Sequence, residues 1–120
     1  MKGHKAYEKD TQGYQNVIDT FGNDILDDNG NIDRKKLGKI VFGKPNELKK
    51  LNEIVWPEIK NLTNKEINRL YNIEGKKIIV IEAAVLFEAK WEDIMNEIWV
   101  CFIPDEEVFK LNELLIIMKF

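Results

Sequence analysis

Apolar residues recur at helical spacing in the first part of the chain. The spacing i, i+3, i+4, i+7 within residues 11–22 predicts a helix with one buried face, and Gly22 is its natural end. The apolar members of that face are Tyr14, Val17, Ile18 and Phe21.

Two more helices are predicted downstream. Asn29 and Gly30 accept positive φ at little cost, which favours a tight turn. Asp33 is then placed to cap a second helix that Gly43 closes, and Pro45 suits the first turn of a third.

The course of the third helix is left open by the sequence. Pro57 is expected to interrupt or kink it, since proline removes one helical hydrogen bond. The apolar period continues to Tyr71, which fits one long helix, but "TNKE" at 63–66 also fits a capping box that restarts it.

The pattern changes after Gly75. "KKIIVIEAA" (76–84) and "EIWVCFIP" (97–104) are continuous apolar runs typical of strands buried on both faces, with a short helix expected around 91–95 between them. Asp105 is placed to cap a closing helix over 105–120. These elements predict an α/β fold with a parallel sheet, yet two strands are fewer than such a sheet normally has, which suggests a partial domain.

Composition narrows the function classes. The 120 residues suit a single domain, and the net charge of −3 gives no reason to expect nucleic-acid binding. No apolar run approaches the length of a membrane span, and Met1 is followed by polar residues rather than by a signal peptide. A single cysteine excludes an internal disulfide framework, so a reducing, cytoplasmic setting is expected.

Three features with the residue types of a metal or catalytic site lack the partners that such a site needs. If Gly30 is the sixth residue of a calcium loop, its first and twelfth ligands fall on Ile25 and Lys36, which cannot serve. His4 is the only histidine, which leaves no second one for a triad or zinc site. Cys101 lies in an apolar run and is interpreted as inert packing.

Three charged residues keep two interpretations each. Arg34 follows the cap Asp33, where helix amides and a guanidinium together hold an anion; the alternative is a surface ion pair with Asp27 or Asp28. Glu82 ends the first predicted strand and Glu88 lies on the loop above it. Both are candidates for a ligand crevice at the strand ends, or for a structural hydrogen bond that fixes the loop.

Four segments in order carry a resemblance to a known family. They are "NGNIDRKKLG" (29–38), "VFG" (41–43), "LNEIVWP" (51–57) and "EAAVLFEA" (82–89). Together they resemble dephospho-CoA kinase over residues 3 to about 107. Trp56-Pro57, where bacterial members usually carry His-Pro, and "AAVLFEA" look more like the kinase domain of eukaryotic bifunctional CoA synthase.

The resemblance implies an activity and a site. It implies a P-loop nucleoside monophosphate kinase fold that transfers phosphate from ATP, with Mg²⁺, to the 3′-hydroxyl of dephospho-CoA in coenzyme A biosynthesis. It assigns about 8–73 to a helical acceptor-binding insertion, 76–104 to two core strands and 105–120 to a divergent C-terminal helix. The residues it implies for acceptor binding are Gly3, His4, Tyr7, Arg34, Lys35, Leu86 and Glu88. Glu82 joins them as a candidate because of its place at the end of the first predicted strand.

The sequence also departs from that family. It contains no GxxxxGK[ST] phosphate loop, only Met1 and Lys2 stand where a catalytic aspartate is expected, and 105–120 contains no lid arginine. The 120 residues alone are therefore expected to be inactive, and to be marginally stable without the central strand. A fused adenylyltransferase domain is compatible with the resemblance, and the alternative function is a non-catalytic CoA-nucleotide-binding or regulatory remnant.

Overall fold

The computed structural model describes residues 3–100, and Cys101, Asp105 and the predicted closing helix lie outside them. The chain divides into two compact units, Met1–Thr63 and Asn64–Phe120. The boundary falls inside the predicted 8–73 insertion. None of the helices within 3–100 combines the length and apolar character needed to cross a membrane.

The first unit is built of helices. They are a 3₁₀ helix at Gly3–Tyr7, α1 at Gln12–Phe21, a 3₁₀ turn at Asn23–Ile25, α2 at Arg34–Val41 and the greater part of α3, Pro45–Asn68. Thr11 caps α1 by accepting a hydrogen bond from the Tyr14 amide, and the predicted end at Gly22 is confirmed by its φ of 86°.

Val17, Ile25 and Leu37 form the core of this unit and are almost completely buried. They come from α1, the following 3₁₀ turn and α2, so the three elements close on one point. The half-buried hydrophobic residues packed around them are Tyr7, Phe21, Ile32, Ile40, Val41, Leu51 and Ile54.

The predicted boundaries of α2 and the beginning of α3 are confirmed. Asp33 caps α2, and α3 begins at Pro45. Gly43 follows α2 with a φ of 69°, in the left-handed region that favours glycine.

Beyond Pro57 the sequence allowed one long helix or a second helix that begins at 63–66, and the structure has one long helix, α3. It runs without interruption through Pro57 and Thr63 to Asn68. Of the two effects expected of Pro57, the interruption is therefore wrong, and the kink stays a prediction. The Thr63 hydroxyl donates to the Ile59 carbonyl at 2.8 Å, one turn back along the same helix. Its oxygen therefore serves a continuing helix and not the start of a new one.

The second unit is irregular where the structure describes it. A π-helical turn, Arg69–Ile73, follows α3, with Arg69 paired to Glu66 and Glu74. A chain of turns at 84–90 leads to a 3₁₀ turn at Glu92–Ile94, which confirms the short helix expected there. The buried residues are Ile79, Ala83, Leu86 and Trp91.

The first predicted strand is not formed. Residues 76–83 have neither helix nor strand pairing, and Ile78 and Val80 are 62% and 52% exposed on either side of buried Ile79. A strand exists through its ladder of hydrogen bonds, and the described part of the chain supplies no neighbouring strand. The second predicted strand lies partly outside the described residues, so the parallel sheet stays unconfirmed.

Candidate functional site

Gly3, His4 and Tyr7 share the 3₁₀ helix that packs on α1. The two helices approach so closely that a methyl group at Gly13 would lie 1.8 Å from the Ala6 carbonyl oxygen. His4 is half-buried, and Tyr7 packs against the core of the first unit. The position of these three residues is therefore fixed by α1.

Arg34 and Lys35 are the first two residues of α2, and both are exposed. Within residues 3–100 neither side chain has an ion pair or a hydrogen bond, so the alternative of an Arg34 pair with Asp27 or Asp28 is not found. Two exposed cationic side chains thus occupy consecutive positions at the start of a helix.

The amides of this helix end are already occupied in part. Asp33 Oδ1 accepts hydrogen bonds from the Lys35 amide at 2.8 Å and from the Lys36 amide at 3.2 Å. These two amides are therefore already paired with the cap, and the anion site expected at Arg34 stays a prediction. The side chains of Arg34 and Lys35 are what remains for an anion to contact.

A tight turn, residues 26–32, precedes Arg34 and Lys35 in the chain. Leu26 and Ile32 form an antiparallel bridge, and Gly30 has the positive φ expected for the predicted turn, 75°. Asp27 Oδ1 accepts hydrogen bonds from the amides of Asn31 and Asn29, each at 2.9 Å. Those bonds, that from Asn31 most strongly, hold the pKa of Asp27 below its ordinary value.

Three side chains outside the 26–32 turn donate to its carbonyl oxygens. Lys9 Nζ lies 3.2 Å from the Asn29 oxygen and Tyr14 Oη lies 2.5 Å from the Gly30 oxygen. Lys36 Nζ lies 2.6 Å from the Leu26 oxygen. The turn is thus held from the segment before α1, from α1 and from α2.

Sequence reasoning missed these three donors. Tyr14 was assigned to the apolar face of α1, and the two lysines carry no pattern that distinguishes them from other surface lysines. The available signal was the phenol itself, because a half-buried Tyr hydroxyl usually finds a hydrogen-bond partner.

Glu82, Leu86 and Glu88 belong to the second unit, whereas the other predicted site residues belong to the first. Glu82 and Glu88 are exposed, so the argument that a buried carboxylate must be neutralised does not apply to them. Leu86 is completely buried, and its carbonyl accepts a hydrogen bond from the Trp91 amide at 3.1 Å. Leu86 therefore anchors the 84–90 turns, and its predicted contact with an acceptor stays a prediction.

The described residues offer anion binding more clearly than metal binding. No group of three His, Cys, Asp or Glu side chains in this part of the chain stands close enough to hold a metal ion. The residues between 3 and 100 thus provide no preformed metal site, whereas Arg34 and Lys35, the basic pair, can bind an anion.

Comparison with known proteins gives a consistent result. The family profile described as dephospho-CoA kinase matches residues 2–111. A dephospho-CoA kinase of Carboxydothermus hydrogenoformans is 46% identical over 108 residues, which are 90% of this chain and 48% of that protein. One of Oryza sativa subsp. japonica is 40% identical over 96 residues, 78% of this chain and 41% of the relative.

A vertebrate relative shows the same likeness. A dephospho-CoA kinase domain-containing protein of Danio rerio is 40% identical over 86 residues, 72% of this chain and 37% of that protein. The chain spans about half the length, or less, of these three curated relatives.

Proposed function

The chain belongs to the dephospho-CoA kinase family, and on that premise we propose that its residues 3–63 bind the acceptor nucleotide, dephospho-CoA. The family is one of phosphotransferases and implies the P-loop kinase fold. In the complete enzyme the acceptor's 3′-hydroxyl would receive the phosphate that ATP supplies.

The basic pair at the start of α2 is the observation that carries this proposal. Dephospho-CoA contains a diphosphate, and Arg34 and Lys35 are adjacent, exposed and unpaired within the described residues. A guanidinium matches two phosphate oxygens at once, while an ammonium acts as a point charge. Together they favour a diphosphate over a single anionic group.

The other predicted acceptor contacts support the same assignment. Tyr7 and His4 lie on the 3₁₀ helix fixed by α1, in the unit that also contains the basic pair. A half-buried tyrosine and a half-buried histidine supply aromatic surface of the kind on which a nucleotide base stacks. We assign Gly3 to the same wall, because glycine lets a ligand approach the backbone.

We further propose that the 120 residues alone bind dephospho-CoA without phosphorylating it. Phosphoryl transfer depends on a phosphate cradle and on a group that orients the attacking hydroxyl. The sequence contains no GxxxxGK[ST] loop to cradle the phosphates of ATP. ATP-dependent formation of CoA at a kinase rate by this chain would overturn that part of the proposal.

Titration calorimetry with dephospho-CoA tests the binding site. The double variant R34A/K35A should bind at least about tenfold more weakly, because a charge-assisted hydrogen bond contributes roughly 1.5–3 kcal/mol and ~1.4 kcal/mol is tenfold. The matched control is K39A/K44A, which removes two exposed charges of the same unit. Equal losses in both double variants would mean a general charge effect and no site.

A second candidate is a non-catalytic CoA-nucleotide-binding or regulatory protein, because CoA contains the same diphosphate that Arg34 and Lys35 are proposed to bind. The two candidates differ in their preference between dephospho-CoA and CoA. A site that contacts only the diphosphate should bind the two molecules about equally, whereas a site built for CoA should also contact its 3′-phosphate. Tighter binding of CoA would favour the regulatory protein.

A further inference from the structure

Tyr14 makes a hydrogen bond that the acceptor-binding proposal does not use. Its hydroxyl donates to the Gly30 carbonyl oxygen at 2.5 Å, across 16 positions of sequence. Tyr14 lies in the first turn of α1, next to the cap at Thr11 and one turn before the buried Val17. The donor is therefore attached to a helix whose own position is set by the core.

The 26–32 turn transmits that position to α2. The Asp33 amide, directly after the turn, donates to the Ile25 carbonyl at 2.8 Å, and the Asp33 carboxylate caps α2. The turn thus ends at the residue that caps the helix, so the position of the turn bears on the position of that cap. Arg34 and Lys35 are the next two residues along the chain.

Tyr14 differs from the two lysines that also hold the turn. The contacts of Lys9 and Lys36 are exposed, whereas that of Tyr14 is part-buried. Long, solvated lysine side chains hold a contact weakly, because their rotamer entropy opposes it. Tyr14 is thus the donor with the most rigid attachment.

We propose that Tyr14 is a positioning residue that fixes Arg34 and Lys35 through the 26–32 turn, a role that rests on the proposed acceptor-binding function. With the Tyr14 hydroxyl present, Arg34 and Lys35 are already held in the position in which they bind the diphosphate. Without it the turn and the start of α2 gain freedom, which binding must then remove.

Two measurements on the 120-residue chain test this role, with Y71F as the matched control because Tyr71 is an exposed tyrosine of the second unit. In ¹⁵N–¹H spectra, Y14F should shift or broaden the amide signals of Arg34 and Lys35, and Y71F should leave them unchanged. In calorimetry with dephospho-CoA, Y14F should weaken binding about threefold to tenfold. In the R34A/K35A background the same substitution should change affinity less than about twofold.

The outcomes separate this role from the proposed function. Unchanged Arg34 and Lys35 signals in Y14F overturn the positioning role, as does an equal loss of affinity in both backgrounds. Wild-type chain that does not bind dephospho-CoA overturns the proposed function, and the amide signals then decide by themselves whether Tyr14 controls the basic pair. Urea unfolding of Y14F confirms that the variant is folded under the assay conditions.

Discussion

Two substitutions of Asp33 distinguish its role as the cap of α2 from the effect of its negative charge on Arg34 and Lys35. Asp33→Ala removes the oxygen that accepts from the amides of Lys35 and Lys36, at 2.8 and 3.2 Å. Loss of such a cap costs about 1 kcal/mol, within a range of roughly 0.5–2. In a unit of this size ~1 kcal/mol lowers Tm by about 4–8 °C.

Asp33→Asn should leave the free energy of unfolding nearly unchanged and should change the affinity for dephospho-CoA instead. Asparagine keeps a side-chain oxygen and is as good a cap as aspartate, so the free energy of unfolding should stay within about 0.5 kcal/mol of wild type. It also removes a negative charge beside Arg34 and Lys35. Affinity for dephospho-CoA should then rise about twofold to fivefold, the equivalent of roughly 0.3–1 kcal/mol.

Urea unfolding followed by circular dichroism at 222 nm, together with titration calorimetry, measures both effects. The control is Asp28→Ala, since Asp28 is an exposed acid of the preceding turn and should change stability by less than about 0.5 kcal/mol. The reasoning is refuted if D33A unfolds at the wild-type urea concentration, or if D33N is destabilised as much as D33A.

Four further predictions each concern a single position. Gly13→Ala should destabilise the chain by about 1–3 kcal/mol through its clash with the 3₁₀ helix. Gly38→Ala should stabilise it by about 0.4–1 kcal/mol, because an added methyl group there meets no atom within 4 Å beyond its own stretch of helix. Melting temperatures equal to that of the wild type would contradict both predictions. Because the folded-state pKa of Asp27 is depressed, its stabilising contribution is complete above the ordinary pKa of 3.8 and is lost as pH falls through the lower folded value. Acid titration of the unfolding midpoint should show that loss in wild type, and Asp27→Asn should flatten it; identical acid profiles would disprove it. Leu86→Ala should cost about 2–5 kcal/mol and speed hydrogen exchange at the Trp91 amide, which bonds to the Leu86 carbonyl; unchanged exchange would exclude Leu86 as the anchor of the 84–90 turns.

Local chemistry was readable from the sequence in the first unit. Asp33 as a cap, Gly30 with positive φ and Pro45 at a helix start are decided by neighbouring backbone groups. The donors that hold the 26–32 turn were not readable, because a lysine or tyrosine gives no sign of which distant carbonyl it will meet.

Strand pairing and burial could not be read in the same way. The apolar run at 76–84 matches a buried strand in composition, yet Ile78 and Val80 are exposed in the structure. An apolar composition indicates that burial of a segment would be favourable, but a strand forms only where a second segment is placed to pair with it. Leu86 was predicted from the family's pattern as an acceptor contact, and its complete burial was not visible in that pattern.

Pro57 has a consequence for how α3 is stabilised. It divides the 24-residue helix into two equal lengths, 45–56 and 57–68. Each is at the lower limit, ~12–15 residues, at which an isolated helix is only marginally formed in water. Leu51 and Ile54 pack against the core of the first unit, so tertiary contacts supply what the sequence of the first half lacks. A peptide of residues 45–68 should thus be mostly unfolded in isolation, and α3 is better understood as a product of folding than as its starting point.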